Sequence, residues 1–154
     1  MLVVKSKFAY YCIMPKVIDH TLEEIPVSVK NTDVLKLIDE KYNPRYFIIL
    51  KDFTGSNDKD ISDWLNISVK TFQKYKKPTK KEEVKEDTVE HAVMLLSLFK
   101  HGKNIFGDHH TFSEWLQKEN FYFGKKKPAK FLNTISGIKF IDNRLTAIEY
   151  GDNV

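Results

Sequence analysis

The chain has 154 residues, a hydrophobic fraction of 42% and a net charge of +4. That is apolar material for one folded domain, or two small helical ones sharing a core, and it excludes a disordered chain. The charge is uneven, because Ser68 to Lys81 carries six lysines (70, 74, 76, 77, 80 and 81) and no acid, a local excess suited to a polyanion.

Residues 1–30 mix short apolar runs with Pro15 and Pro26 and read as an irregular arm with one short strand near Phe8–Met14. Lys5 and Lys7 interrupt the first apolar run and Pro15 ends it, a pattern unlike a secretion signal. No run approaches the roughly 20 apolar residues of a membrane span. A lone cysteine, Cys12, cannot form an intrachain disulfide and suits a reducing compartment. A soluble, cytoplasmic protein with no membrane partner is expected.

From Thr32 to Tyr42, the spacing of Val34, Leu37, Ile38 and Lys41 predicts an amphipathic helix, broken by Asn43-Pro44. Residues 45–54 are apolar enough for a strand, but their length favours a buried helix. Gly55 to Asp58 is a turn leading into a helical pair over Asp60–Lys77. Residues 76–87 hold one large apolar residue, Val84, and read as a solvated linker. Asp87 and Glu90 stand in capping-box spacing before a long helix over 88–106. That helix is apolar on one face through Val89, Ala92, Val93, Leu96 and Phe99, and on a second through Met94, Leu98 and Ile105. Such a helix is buried on two sides, in a core or at a subunit contact. Gly107-Asp108 stops it, Thr111 and Glu114 suggest a capped helix to Lys118, and Lys130–Asn133 is a brief helix. A final helix over 136–150 buries Ile138, Ile141, Leu145 and Ile148. The chain is thus expected to be all-α, with an arm over 1–30, one unit over 31–80 and another over 88–154.

The pair over Asp60–Lys77 fits a helix-turn-helix position by position. Ile61 and Leu65 point inward from the first helix, and Ser62 is the small residue at the crossing. Asn66 takes the left-handed turn position, and Ile67 plugs the turn. Ser68 is the N-cap, with Phe72 and Tyr75 anchoring the second helix. Ser68, Val69, Lys70, Thr71, Gln73, Lys74 and Lys77 are left as candidate DNA contacts. Among them Gln73 can read adenine, and Lys70 or Lys74 can reach guanine or phosphate. A plain helical hairpin with a solvated lysine face would match some of these positions but not all. One such motif reads few base pairs, so a homodimer on an inverted-repeat operator is expected.

Catalytic and metal chemistry find little support. The five histidines are scattered, and the adjacent His109 and His110 would diverge by about 100° on a helix. Zinc spacings and phosphate-binding glycine loops are absent. No enzyme activity, metal or cofactor is expected.

From Val89 onward the chain resembles the toxin-binding domain of Xre/MbcA/ParS-type antitoxins. The matching pieces run in order: Asn104-Ile105-Phe106-Gly107-Asp108, Phe112, Trp115-Leu116, Asn120, Phe123-Gly124, Pro128, Phe131 to Thr134, Gly137, and Leu145 to Gly151. Upstream the likeness extends through the helix-turn-helix to about residue 30. Two positions depart from the pattern. Tyr150 stands where the family has a histidine, and Lys125-Lys126-Lys127 follow a single glycine in the turn after Phe123. The resemblance implies an antitoxin, paired most often with a RES-domain toxin that consumes NAD. It also implies repression of the module's own promoter, a hetero-oligomer with the toxin, and a C-terminal end lying at the toxin's active-site entrance. Trp115, Phe121, Tyr122, Phe123, Tyr150, Gly151, Asp152, Asn153 and Val154 are the toxin-contact candidates on this basis, with packing in the core the alternative for Trp115. The alternative is a stand-alone transcriptional regulator whose C-terminal domain only dimerises.

Overall fold

The computed structural model describes residues 22–28, 45–77 and 84–151. The strand expected near Phe8–Met14 and the helix expected over Thr32–Tyr42 lie outside these residues. The described residues are all-helical, as the sequence predicts. They form α1 (Arg45–Thr54), α2 (Asp58–Leu65), α3 (Val69–Tyr75), α4 (Glu86–Phe106), α5 (His109–Gln117) and α6 (Ile135–Glu149). Two 3-10 turns, Phe121–Phe123 and Pro128–Phe131, connect α5 to α6. The only extended pairing among the described residues is an isolated bridge between Asn120 and Lys126.

The long helix α4 is the axis of the molecule. From Thr88 to Phe99 every residue except Glu90 is buried. Helices α1, α5 and α6 pack around it, and α2 touches it. Both apolar faces read from the sequence are therefore covered within one chain, except at the half-buried Ile105. Met94 and Leu98 are buried and Ile105 is half-buried, so this helix serves as a core helix of the chain. Apolar residues of α1, α2 and α3, such as Phe47, Ile61 and Phe72, join Leu95, Phe99, Phe112 and Ile141 in one continuous core. At the seam, the Phe99 ring lies 5.6 Å from Trp64 of α2 and 5.2 Å from Phe112 of α5.

Two helix caps differ from expectation. Helix α4 starts after Lys85, which makes no side-chain cap bond, and Asp87 sits inside the first turn. With Glu86 it places negative charge near the helix N-terminus, where the macrodipole favours it. Helix α5 is capped by Asp108, not Thr111: the carboxylate accepts from the Thr111 amide at 2.8 Å and from its hydroxyl at 2.7 Å. Asp108 already occupies the position after the Gly107 break, so the hydroxyl that could have capped becomes a donor to it. The brief helix expected over Lys130–Asn133 is instead the 3-10 turn Pro128–Phe131, set by proline at its first position.

Residues 22–28, expected to be irregular, begin with a helical turn and are docked on α4 and α6. Lys100 Nζ donates to the Leu22 and Ile25 carbonyls, each at 2.7 Å, and Ser97 Oγ donates to the Pro26 carbonyl at 2.7 Å. Ile25 is fully buried. Among the described residues no helix is long and apolar enough to cross a membrane.

Candidate functional site

Helices α2 and α3 meet across a tight turn. Asn57 caps α2 by accepting from the Asp60 amide at 2.8 Å. Asn66 adopts φ 54° and ψ 40°, the left-handed geometry the turn requires. Ser68 caps α3 by accepting from the Thr71 amide at 3.0 Å. Ile61, Ser62, Leu65 and Phe72 are buried, while Ile67 and Tyr75 are half-buried. The Tyr75 ring lies 5.1 Å from that of Phe47 on α1.

Of the residues proposed to meet DNA, Ser68, Lys70, Gln73, Lys74 and Lys77 are exposed, and Val69 and Thr71 are half-buried. They divide into two faces. Ser68 and Thr71, their hydroxyls 2.8 Å apart, line a groove of about 410 Å³ that opens toward Lys85, Asp87 and His91 at the start of α4. Lys70, Gln73, Lys74 and Lys77 are not among the residues lining it. Lys76 leaves the lysine block altogether. It donates to both carboxylate oxygens of Asp58, at 2.9 and 2.8 Å, and sits 4.8 Å from the centre of the Phe72 ring. That hydrogen bond, with a lesser contribution from Lys51 at 3.2 Å, holds the Asp58 carboxyl below its ordinary pKa. Lys80 and Lys81 lie outside the described residues.

The turn is tied to the C-terminal half. Asn66 Nδ2 donates to the Asn133 carbonyl at 2.7 Å. The buried His91 of α4 donates through Nε2 to the neighbouring Leu132 carbonyl at 2.8 Å. Burial lowers the pKa of His91, so the ring is a neutral donor near neutral pH.

Beyond α5 the chain gathers aromatic side chains. Trp115 is only 7% exposed, packed between Phe106 at 5.5 Å, Phe112 at 5.9 Å and Phe123 at 5.9 Å. Trp115 and Phe123 thus pack in the core of this chain. Phe121 is 87% exposed and Tyr122 47%, and Tyr150 is 86% exposed beyond the end of α6. Gly151 is exposed at φ 99°, a backbone region that favours glycine. Asp152, Asn153 and Val154 lie outside the described residues.

Two neighbours of this surface escaped the sequence reading. Phe140, 37% exposed, stacks on Tyr122 at 5.5 Å with 23° between the rings. Arg144, one turn further along α6, sets its guanidinium 4.6 Å from the centre of the Tyr122 ring. Their i, i+4 spacing on a helix otherwise patterned by Ile138, Ile141 and Leu145 was the available signal. Arg144, Glu119, Asn120, Phe121 and Tyr122 line a shallow pocket of about 310 Å³.

Residues 101–151 match the family described as the antitoxin Xre/MbcA/ParS C-terminal toxin-binding domain. That segment is a toxin-binding domain of the antitoxin type. No curated protein matches the chain. The matched segment begins within α4, so that one helix carries both the start of the toxin-binding domain and the packing surface for α1 and α2.

Inside the toxin-binding domain lies a buried polar pair. His101 Nδ1 donates to Asp142 Oδ1 at 2.7 Å, and Ser28 Oγ donates to the other Asp142 oxygen at 3.1 Å. Glu149 approaches His101 Nε2 at 3.5 Å. Burial disfavours a charged ring, but Asp142 and then Glu149 outweigh it and raise the His101 pKa above its ordinary value. The pair anchors α6 to α4 two turns before the Tyr150–Gly151 exit. Among the described residues no group of three or more histidine, cysteine or acidic side chains could hold a metal ion.

Proposed function

We propose that this chain is the antitoxin of a type II toxin–antitoxin module acting in the cytoplasm. Its unit over 88–154 neutralises a cognate RES-domain, NAD-consuming toxin by covering the toxin's active site. Its unit over 31–80 represses the module's own promoter by binding an inverted-repeat operator as a homodimer. The observation that carries the reading is the toxin-binding domain match over 101–151, whose surface exposes Phe121, Tyr122 and Tyr150. Exposed aromatics of this kind are common anchors of protein interfaces. DNA binding is supported by the exposed Lys70, Gln73 and Lys74 of α3 and by Lys77 just after it, which offer phosphate and base contacts on a stretch, Ser68 to Lys81, whose sequence holds no acid.

Masking by the C-terminal end follows from the chemistry of the exit. Gly151 lets the chain turn out of α6, and the polar residues Asp152 and Asn153 can follow a cleft. Co-expression with the adjoining reading frame tests the class: that gene is expected to be toxic alone and harmless with this chain. Removing residues 151–154 is expected to abolish protection while leaving operator binding intact. Full protection by the truncated chain would refute masking by the tail. A harmless neighbouring gene, with operator binding retained, would favour the stand-alone regulator.

A further inference from the structure

Phe121, Tyr122 and Phe140 form one exposed aromatic face at the junction of the Phe121–Phe123 turn and α6. Its surroundings are strongly basic. From Phe121 to Ile141 the sequence holds five lysines and no acid, and all five lysines are exposed. The backbone places these lysines beside the rings. The Asn120 amide donates to the Lys126 carbonyl at 3.2 Å, so the lysine triplet folds back along Asn120 next to Phe121. Lys139 precedes Phe140 on α6, and Lys130 precedes Phe131, whose ring is 5.9 Å from that of Phe140.

We propose that this face is the docking surface for the toxin, and that it fits a toxin patch with an apolar centre ringed by carboxylates. The inference rests on the toxin-neutralising reading above and deepens it by naming the chemistry of the partner. Charge complementarity carries the argument, because five exposed lysines outweigh the one exposed acid beside the rings, Glu119, and a net positive rim attracts acids and repels other cations. The rings are also held in place beforehand. Tyr122 is stacked on Phe140 and covered by Arg144, so little freedom is lost when a partner packs against it. Tyr122 already uses its ring for Phe140 and Arg144, which suits an apolar contact better than a base-stacking platform. Residues 151–154 are unchanged in the following test, so docking is assayed apart from the proposed covering of the active site.

The test uses the purified full chain and the product of the adjoining reading frame, with binding kinetics followed on immobilised antitoxin. Phe121→Ser removes an exposed ring and leaves the melting curve unchanged. It is expected to speed dissociation about tenfold or more, as loss of an aromatic anchor does. Lys126→Glu with Lys127→Glu is expected to slow association about tenfold at low salt, and the deficit is expected to shrink in about 0.5 M salt as screening takes over. Wild-type kinetics in both variants overturn the inference and leave the antitoxin reading standing. Variants that keep the toxin but lose nucleic acid overturn it in favour of a second nucleic-acid surface. Failure of the wild-type chain to bind the product at all overturns both readings.

Discussion

Phe99 gives the most direct handle on how the two halves of the molecule depend on each other. Its fully buried ring bridges Trp64 of α2 and Phe112 of α5. Phe99→Ala leaves a cavity at that seam, and such truncations cost about 3–5 kcal/mol. With a urea slope of about 2 kcal/mol per molar, the unfolding midpoint falls by roughly 1.5–2.5 M. The chain supplies its own reporters, because its two tryptophans are Trp64 in α2 and Trp115 in α5. Trp64→Phe and Trp115→Phe backgrounds each leave one reporter, so the fluorescence of each half can be followed alone. If one core holds both halves, the two reporters unfold together, and Phe99→Ala shifts both by the same amount. A Trp64 transition that separates from that of Trp115, or a Phe99→Ala effect confined to one reporter, would refute the shared core.

Two further outcomes follow from side-chain geometry. A Cβ at Gly102 would fall within the van der Waals envelope of the Phe112 ring, against Cγ, Cδ1 and Cε1. Gly102→Ala is therefore expected to destabilise by about 1–3 kcal/mol from overpacking, against at most about 1 kcal/mol gained in helix propensity. In chemical denaturation, Gly102→Ala combined with Phe112→Leu should cost less than the sum of the single changes. An additive result would mean that the ring yields without cost. The raised pKa of His101 sets the direction of a pH effect. A group whose folded pKa is raised contributes fully below its unfolded value, about 6.5 for histidine, and the contribution fades as pH rises through the folded value. The stability lost in His101→Gln, read from urea midpoints, is therefore expected to be larger at pH 6 than at pH 9. An equal or larger loss at pH 9 would contradict the charged pair.

The local architecture was legible because local physics decides it. Asn66 could be assigned to the left-handed turn and Ser68 to the cap because few residue types do those jobs well. The buried set Ile61, Leu65 and Phe72 follows from helical spacing alone. What the sequence hid depends on distant partners. Residues 76–87 read as a linker because they are polar, yet polarity there says nothing about Leu95 and Phe99 packing beneath α1 and α2. The aromatic run Phe121-Tyr122-Phe123 shows another limit. Successive residues of a 3-10 turn point about 120° apart, so they cannot all face the core. Phe123 is the buried one, and which of the three turns inward is set by Trp115 and Phe131, not by the run itself. The Asp108 cap was obscured for a smaller reason, as two cap-forming residues three positions apart, Asp108 and Thr111, compete and the one nearer the glycine wins.

The placement of α4 also bears on how such proteins can be recombined. A chimera joined in the charged segment after Lys77 looks like an exchange of two cassettes. In this chain such a cut would part α1 and α2 from the long helix α4 on which they pack. A new N-terminal unit would arrive with an uncovered apolar underside, and the recipient helix would lose its roof. Under the proposed repressor role, a different operator specificity is therefore more easily gained through the exposed side chains of α3 than through exchange of the whole N-terminal unit. Divergence between relatives should accumulate at Lys70, Gln73, Lys74 and Lys77, while the seam at Phe99 changes slowly and only in concert with Trp64 and Phe112.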